Sequence, residues 1–267
     1  MAFYSPIDSV YSLRETDLVL HKRSSQFAIA PRVSVIMAAN NAEPYIDEAI
    51  QSVLAQRGVS FELLIGDDAS TDGTWNRIQS YRNDPRVLIF RNKKRQGEGP
   101  TRNRLIRAAR GKYFSICDAD DCMLPGNLLF FTRQLDESPE AGVVYGDLLR
   151  IDERGRLLNR RVRAVGLDNQ WDLLRNVASN GGGLLRASLV RKVGDYREET
   201  ASGVDYDLFL RLAEVTRFKP FPGKALYLWR FHSRSMTFTA SRSQADTMQR
   251  QMRREVIWRR YGYRVPW

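Results

Sequence analysis

The first half of the chain alternates between apolar runs and segments whose apolar residues have helical spacing. Between residues 32 and 121, four apolar runs are separated by three amphipathic stretches; the first run is RVSVIMAANN and the last is KYFSICDADD. Parallel strands need a crossover connection, which is usually a helix, and such crossovers are right-handed. The alternation therefore predicts an α/β fold with a doubly wound sheet, mixed but mostly parallel, that is flanked by helices.

The second half has shorter elements and more turn signals. EAGVVYGDLLRIDERGRLL predicts a β-hairpin, WDLLRNVA a short helix, and GGGLLRASLVRKVGDY a short strand followed by a helix. VDYDLFLRLAEVT predicts an amphipathic helix, and ALYLWRFHSRSMT a final strand before a polar loop. No repeat or low-complexity linker separates the halves, so we expect them to share one sheet within a single domain.

Polar residues follow three of the predicted strands, at the edge where doubly wound sheets bind their ligands. Asp67 and Asp68 can accept hydrogen bonds from a nucleobase imide or from ribose hydroxyls, or they can cap the helix that follows. We therefore expect a binding site at this edge. The residues there are Ala39-Asn40-Asn41, Asp67-Asp68 and Asp118-Ala119-Asp120-Asp121.

Asp118 and Asp120 lie two residues apart, and in extended backbone they share a face. Both carboxylates can then approach one divalent ion, because Mg²⁺ and Mn²⁺ prefer oxygen ligands and keep water or substrate phosphates as the others. An acidic turn that caps the next helix is the alternative. Cys117 and Cys122 flank the cluster, but a structural zinc site takes four Cys or His ligands and the chain has only two His. Small core residues are the better interpretation of these cysteines.

Three further segments supply polar groups that can contact a ligand. RQGEGPTRNR puts Gly97 before a basic helix, where backbone N–H groups can bind a phosphate and Arg102 can add a bidentate donor. This spacing matches neither a P-loop nor a dinucleotide-binding motif. Asp205 stands at a helix start and is either a cap or a catalytic base. His232 is either structural or a contact for a metal or a diphosphate.

These segments resemble the inverting family-two glycosyltransferases that have the GT-A fold. The matching segments are VSVIMAANNAEPYIDEAIQSVLAQ, FELLIGDDASTDGT, GEGPTRNRLIRAARGKYFSICDADD and VDYDLFLRLAE, in that family's order and spacing, over roughly residues 32 to 237. The resemblance implies a metal-dependent enzyme that transfers one sugar from a UDP- or dTDP-linked donor to an acceptor hydroxyl in glycan or polysaccharide biosynthesis.

The resemblance also implies roles for individual residues. Asp67 would hold the nucleotide base. Asp118 and Asp120 match the DxD motif, in which Asp120 would ligate Mn²⁺ or Mg²⁺ and Asp118 would meet the ribose or the ion. Asp205 matches the general base, and His232 matches a histidine near the diphosphate. The implied donor-binding positions are Ala39, Asn41, Asp67, Asp68, Gly97, Arg102, Asp118, Ala119 and Asp120, and the implied metal positions are Asp118, Asp120 and His232.

Two positions depart from the family pattern. The family commonly has Pro-Thr-Tyr-Asn after the first strand, whereas this chain has Ala-Ala-Asn-Asn at 38–41, so the aromatic residue that would stack on the base is missing. Val204 replaces the Glu before Asp205. The general base, Asp205, therefore lacks the acidic neighbour that would tune its basicity. The chain also lacks a Gln-x-x-Arg-Trp motif and a long apolar segment, so we expect a single transfer rather than processive synthesis.

Four parts of the chain follow from this interpretation. We expect an N-terminal extension (1–30), a nucleotide-sugar-binding half (31–125), an acceptor-binding half (126–240) and a basic C-terminal tail helix (241–267). The net charge of +11 suits anionic partners. The tail segment MQRQMRREVIWRRYGYRVPW mixes arginine with aromatic residues, and it is either a solvated helix or one that lies on an anionic membrane.

The N-terminal segment lacks the basic-then-apolar pattern of a signal peptide. We therefore expect a cytoplasmic protein, with peripheral association at the inner face of the membrane as an option. The expected partners are a nucleotide-sugar donor and a saccharide, lipid-linked or small-molecule acceptor, with nucleic acid the least expected; no pattern indicates an oligomeric state. Two alternatives stay open, namely a nucleotide-sugar-binding protein without turnover and a related nucleotidyltransferase that attacks at phosphorus.

Overall fold

The computed structural model describes residues 30–162, 164, 182–197, 203–235 and 254. Outside these residues lie the predicted extension apart from residue 30, the helix predicted at WDLLRNVA, and the predicted tail apart from residue 254. The described elements are, in chain order, β1 (Val33–Ala39), α1 (Ile46–Leu54), β2 (Phe61–Asp67), α2 (Thr74–Gln79), β3 (Val87–Arg91), α3 (Glu98–Ala108), β4 (Tyr113–Ile116), β5 (Cys122–Met123), α4 (Asn127–Asp136), β6 (Ala141–Ile151), β7 (Leu157–Val162), β8 (Leu184–Arg186), α5 (Ala187–Val193), α6 (Val204–Ala213) and β9 (Arg217–Arg230).

The first four strands form the parallel part of the sheet. Their order is β3-β2-β1-β4, and each neighbouring pair is parallel. Nearly all of their residues are buried, as expected of parallel strands with helices on both faces. The predicted α/β fold with alternating strands and helices is confirmed.

The second half of the chain extends the same sheet. β8 pairs with β4 and β6 in antiparallel fashion, β9 lies parallel to β6, and β5 pairs with β9 antiparallel at the edge. β6 and β7 form the predicted hairpin. Two elements lie outside the sequence prediction. β5 is only two residues long and depends on its pairing with the distant β9, whereas α4 buries Leu128, Phe131 and Leu135 at a helical spacing that the prediction missed.

Helices cover both faces of the sheet. Successive strand residues point to opposite faces, so Val35 and Ile36 of β1 belong to two different apolar clusters. α1 and α4 pack on the face of Val35, and α3, α5 and α6 on the face of Ile36. Within the described residues, no helix has the length and apolar composition needed to cross a bilayer.

Gly66 controls how closely α3 approaches the sheet. It lies on β2 just before Asp67, and a Cβ atom there would be 2.8 Å from Thr101 Cγ2 and 3.3 Å from Leu105 Cδ1. A side chain would therefore push α3 away from β2. Glycine at this position lets α3 carry Arg102 to the carboxyl ends of the strands.

Candidate active site

Arg102 of α3 is the centre of a cluster of carboxylates that come from three parts of the chain. The buried guanidinium donates from Nη1 to Asp205 Oδ1 at 2.8 Å and from Nη2 to Asp118 Oδ1 at 2.6 Å. Nη2 also pairs with Glu98 Oε1 at 2.6 Å, one helical turn earlier. The end of β4, the first turn of α3 and the first turn of α6 therefore meet at one cation.

Asp205 is held by a second donor. The Tyr196 hydroxyl donates to Asp205 Oδ1 at 2.9 Å. Tyr196 is in turn fixed by Asn103, whose side chain exchanges two hydrogen bonds of 2.8 Å with the Tyr196 backbone. One carboxylate oxygen of Asp205 thus accepts two hydrogen bonds, while its side chain stays 34% exposed. A carboxylate oriented in this way can accept a proton from a molecule that reaches it from solvent.

Asp120 faces a different set of residues. His232 Nε2 lies 2.9 Å from Asp120 Oδ2, and the Arg234 N–H donates to His232 Nδ1 at 3.3 Å. Because Nδ1 accepts, the ring proton of the neutral imidazole sits on Nε2 and is donated to Asp120. Arg230 fixes the same turn through two hydrogen bonds. Its Nε donates to the Asp120 carbonyl at 2.8 Å, and its backbone N–H donates to Asp121 Oδ1 at 2.8 Å.

The carboxylates raise one another's proton affinity. Burial raises the pKa of Glu98 to about 7, against the opposing charge of Arg102, and Asp118, Asp205 and Asp120 add to the rise. Burial likewise raises the pKa of Asp118 to about 6, with Asp205 and Asp120 contributing. The carboxylates of Glu98, Asp118, Asp120 and Asp205 therefore lie close together. Arg102 is bonded directly to all of them except Asp120. The excess negative charge suits a further cation.

The donor set at Asp118 and Asp120 fits a hard divalent ion. Both side chains are partly exposed, at 45% and 29%. Each has one oxygen on a protein donor, and no donor among the described residues contacts the other oxygen. In the described part of the chain, no group of three or more His, Cys, Asp or Glu side chains has the arrangement of a complete metal cage. Mg²⁺ and Mn²⁺ do not need one, since substrate phosphates commonly complete their shell. His232 points at Asp120, where it orients that carboxylate.

Asp67 and Asp68 lie at the adjacent strand end, next to β1. Asp67 is fully buried, its carboxylate pairs with Arg91 Nε at 3.1 Å, and burial raises its pKa. Asp68 accepts hydrogen bonds from the Asn92 side chain at 2.7 Å and from the N–H groups of Gln96 and Gly97 at 2.8 Å. Asp68 therefore anchors the loop that leads into α3, a structural role that was not predicted.

The end of β1 is fixed to the same region. The Ala39 carbonyl accepts the Asp68 N–H at 2.8 Å. Asn41 has a positive φ of 53°, and its side-chain oxygen accepts the Thr71 N–H at 2.9 Å. Ala119 is buried between Asp118 and Asp120. These contacts bring the predicted donor-binding positions of β1, β2 and β4 to one edge of the sheet, and their roles stay predictions.

The structure puts Gly97 and Arg102 in other contacts than those predicted. The Gly97 N–H is donated to Asp68, and the Arg102 guanidinium faces protein carboxylates. A phosphate would have to displace these contacts to be bound as the sequence suggested. Carboxylates compete well for such N–H groups, and the roles of Gly97 and Arg102 in binding the donor phosphate stay predictions.

Sequence reasoning missed three residues of the site, namely Glu98, Tyr196 and Arg230. Glu98 precedes Arg102 by four residues, which is the spacing of a helical ion pair, so a signal was present. Tyr196 and Arg230 reach the cluster only through the fold. Arg230 lies on β9, over a hundred positions from Asp120, and no local pattern links the two.

We predict that Glu98 makes stability depend on pH. The folded state binds its proton more tightly than the unfolded state does, so the free energy of unfolding falls as pH rises from about 4.5 to about 7, by at most about 3 kcal/mol. Urea unfolding at pH 5 and pH 8, with chelator present, should show a smaller difference for Glu98→Gln than for the wild type. Exposed Glu140 is the control, and Glu140→Gln should leave the difference unchanged; an unchanged difference in Glu98→Gln would contradict the prediction.

Solved structures share this fold. TarS of Staphylococcus aureus (residues 1–349, in complex with UDP-GlcNAc) has a TM-score of 0.66 and 20% identity, over 87% of this chain and 73% of that one. The mannosyltransferase PcManGT of Pyrobaculum calidifontis, in complex with GDP-Man and Mn²⁺, has a TM-score of 0.62 and 20% identity, over 90% of this chain and 67% of that one. The fold is therefore of the GT-A type.

The family follows from the sequence match. The family model described as Glycosyl transferase family 2 matches residues 34–194 of this chain. A chondroitin synthase of Escherichia coli is 30% identical over 190 residues, which is 71% of this chain and 27% of that protein. The chain thus spans about a quarter of the length of that relative. The chain belongs to glycosyl transferase family 2, and the family resemblance seen in the sequence is confirmed.

Proposed function

We propose that this chain catalyses metal-dependent, inverting transfer of a single sugar from a UDP- or dTDP-linked donor to an acceptor hydroxyl in the synthesis of a glycan or polysaccharide. The observation that carries the proposal is the bridge formed by Arg102. Its two Nη atoms hold Asp205 and Asp118 at 2.8 and 2.6 Å. A base for the acceptor and a carboxylate for the donor's metal are thereby fixed on one rigid group.

Asp205 is the general base of the proposed reaction. Its Oδ1 is occupied by Arg102 and Tyr196, so the other oxygen is directed to an acceptor hydroxyl. That hydroxyl gives its proton to Asp205 as its oxygen bonds to the anomeric carbon, and the bond from that carbon to the diphosphate breaks on the opposite side. The anomeric centre is inverted, and the leaving group departs as the nucleoside diphosphate.

Asp118 and Asp120 would hold Mn²⁺ or Mg²⁺. When bound, the ion supplies positive charge that offsets the charge that develops on the leaving diphosphate. His232 keeps Asp120 in place through Nε2, and Arg230 fixes the Asp120 carbonyl. These two contacts preorganise the turn before the donor arrives, which lowers the cost of reorganisation in the reaction.

Asp67 is proposed to bind the nucleotide base at the end of β2. Ala39, Asn41, Asp68, Gly97 and Ala119 belong to the donor side by their position. Asp68 and Gly97 act through the loop they hold together, since their mutual hydrogen bond of 2.8 Å occupies both. Val204 leaves the position before Asp205 without a carboxylate, and Glu98 supplies one from α3 on the same guanidinium.

A donor screen tests the proposal. The purified chain would be incubated with Mn²⁺, with UDP-, dTDP- and GDP-linked sugars and with a panel of saccharide acceptors, and the products identified by mass. We expect a product that gains one sugar residue, release of the nucleoside diphosphate, and loss of both with chelator. Donor binding without transfer to any acceptor would favour a binding protein instead, and a product that gains a nucleotide would favour a nucleotidyltransferase.

A further inference from the structure

Strand β9 carries an aromatic row on one of its faces. Successive strand residues point to opposite faces, so Tyr227 and Trp229 share a face that Arg230 does not. The Tyr227 hydroxyl accepts a hydrogen bond from the Asp118 N–H at 3.1 Å. Trp229 follows two residues later, roughly 7 Å along the strand. The row therefore begins beside the DxD turn and runs away from it.

Arg150 of the neighbouring strand β6 lies over this row. It is the register partner of Trp229, and its Cζ lies 4.7 Å from the Trp229 ring centroid and 5.7 Å from that of Phe231. The two aromatic rings meet edge to face, with their centroids 6.4 Å apart. All three side chains are partly buried. Two ring faces and one cation are thus held together at the surface.

Within the described part of the chain, the Arg150 guanidinium has no carboxylate as a counter-charge. Its Nε is buried and donates no hydrogen bond, and no carboxylate among the described residues lies within ion-pair distance of it. Arg230, the next residue of β9, differs in this respect, because its Nη2 pairs with Glu48 at 2.6 Å. Arg150 is also partly exposed, so its unpaired charge is available to a ligand that carries an anionic acceptor.

The chemistry of the three side chains defines that ligand. Aromatic rings present apolar faces on which the C–H face of a sugar ring can pack. A guanidinium recognises carboxylate and phosphate groups through parallel N–H donors. We propose that Arg150, Trp229 and Phe231 form an acceptor subsite for a saccharide that carries an anionic group. This assignment rests on the proposed glycosyltransferase function.

The position of the subsite favours the acceptor over the donor. Arg230, the last residue of β9, and His232, just beyond the strand, contact the Asp120 carbonyl and carboxylate. The proposed metal and diphosphate lie on the side of Asp120. A saccharide on Trp229 would lie near the Asp118 turn, because Tyr227, two residues earlier, accepts the Asp118 N–H, so one of its sugars can extend toward the reacting centre.

Direct binding tests the proposal without turnover. Calorimetry would compare three probes: a disaccharide of glucuronic acid and glucose, its neutral glucose counterpart, and the glucose disaccharide with a 6-phosphate. We expect at least one anionic probe to bind at least 10-fold more tightly than the neutral one, and the tighter of the two identifies the anionic group. Arg150→Gln should remove that preference, by 10- to 100-fold, and Trp229→Leu should weaken all probes.

The matched control is Lys224→Gln. Lys224 also lies on β9 over an aromatic ring, with Nζ 4.7 Å from the Phe130 centroid, but it is exposed, and its loss should change no affinity. Equal affinity for the charged and neutral probes, or an unchanged preference in Arg150→Gln, would overturn the subsite. Failure of the donor screen would count against the proposed function alone, since these affinities are measured without a donor.

Discussion

The variant Asp205→Asn is expected to lower kcat for glycosyl transfer by 10²- to 10⁴-fold, the range for loss of a general base. Asparagine has the same shape, and its side-chain oxygen can still accept from Arg102 Nη1 and the Tyr196 hydroxyl, which are 2.8 and 2.9 Å from Asp205 Oδ1. The fold and the donor site should therefore survive, while the proton acceptor is lost. Steady-state rates with a saturating donor give kcat, and calorimetry gives the donor affinity.

The matched control for this variant is Asp47→Asn on α1. Asp47 is 36% exposed and pairs with Arg77 at 2.7 Å, far along the chain from the carboxylate cluster, and its substitution should leave kcat within about twofold, as expected of a surface site. Donor affinity should stay within about twofold in both variants. A wild-type kcat in Asp205→Asn would refute the role of Asp205 as base, and lost donor affinity would assign it to the donor instead.

The sequence was sufficient to predict the parallel half of the sheet, because the signals for its strands and helices are local. Four apolar strands with helices between them require parallel pairing, whatever the rest of the chain does, and the order β3-β2-β1-β4 agrees. The position of β9 beside β6 is a different matter, because it depends on contacts between distant segments. β5 exists only as a partner of β9, so a two-residue pattern could not have predicted it.

The site was predictable in its residue types and less so in its contacts. The family motifs named Asp118, Asp120 and Asp205, and the fold brings Asp118 and Asp205 to one guanidinium; the roles of all three stay predictions. The functions of Asp68 and Arg102 were harder to predict, since each could bind either a ligand or another group of the protein. Asp68 has three protein donors within 2.8 Å, and only the fold brings these donors to it. A sequence motif names such a residue but does not say which partner it has.

The variant Arg102→Met is expected to lower the free energy of unfolding at pH 8 by about 1–3 kcal/mol, because it leaves three partly exposed carboxylates without their shared counter-ion. Methionine fills much of the same volume, so the loss reports charge more than packing. The loss should be smaller at pH 5.5. Without the guanidinium, the pKa values of Glu98 and Asp118 rise further above about 7 and about 6, so both groups are more fully protonated in the folded state at the lower pH.

The sign of this pH dependence follows from linkage. A carboxyl group whose pKa is higher in the folded state binds more protons there, so stability falls as pH rises through that range. Urea unfolding of Arg102→Met at pH 5.5 and 8, with chelator present, measures the effect, and Arg77→Met on the surface, 45% exposed, should cost less than about 1 kcal/mol at both. If the single variant does not fold at pH 8, adding Glu98→Gln should restore part of its stability by removing one repelling charge. Equal losses at both pH values, with no gain from Glu98→Gln, would mean that Arg102 acts through packing and that the carboxylates are not held by its charge.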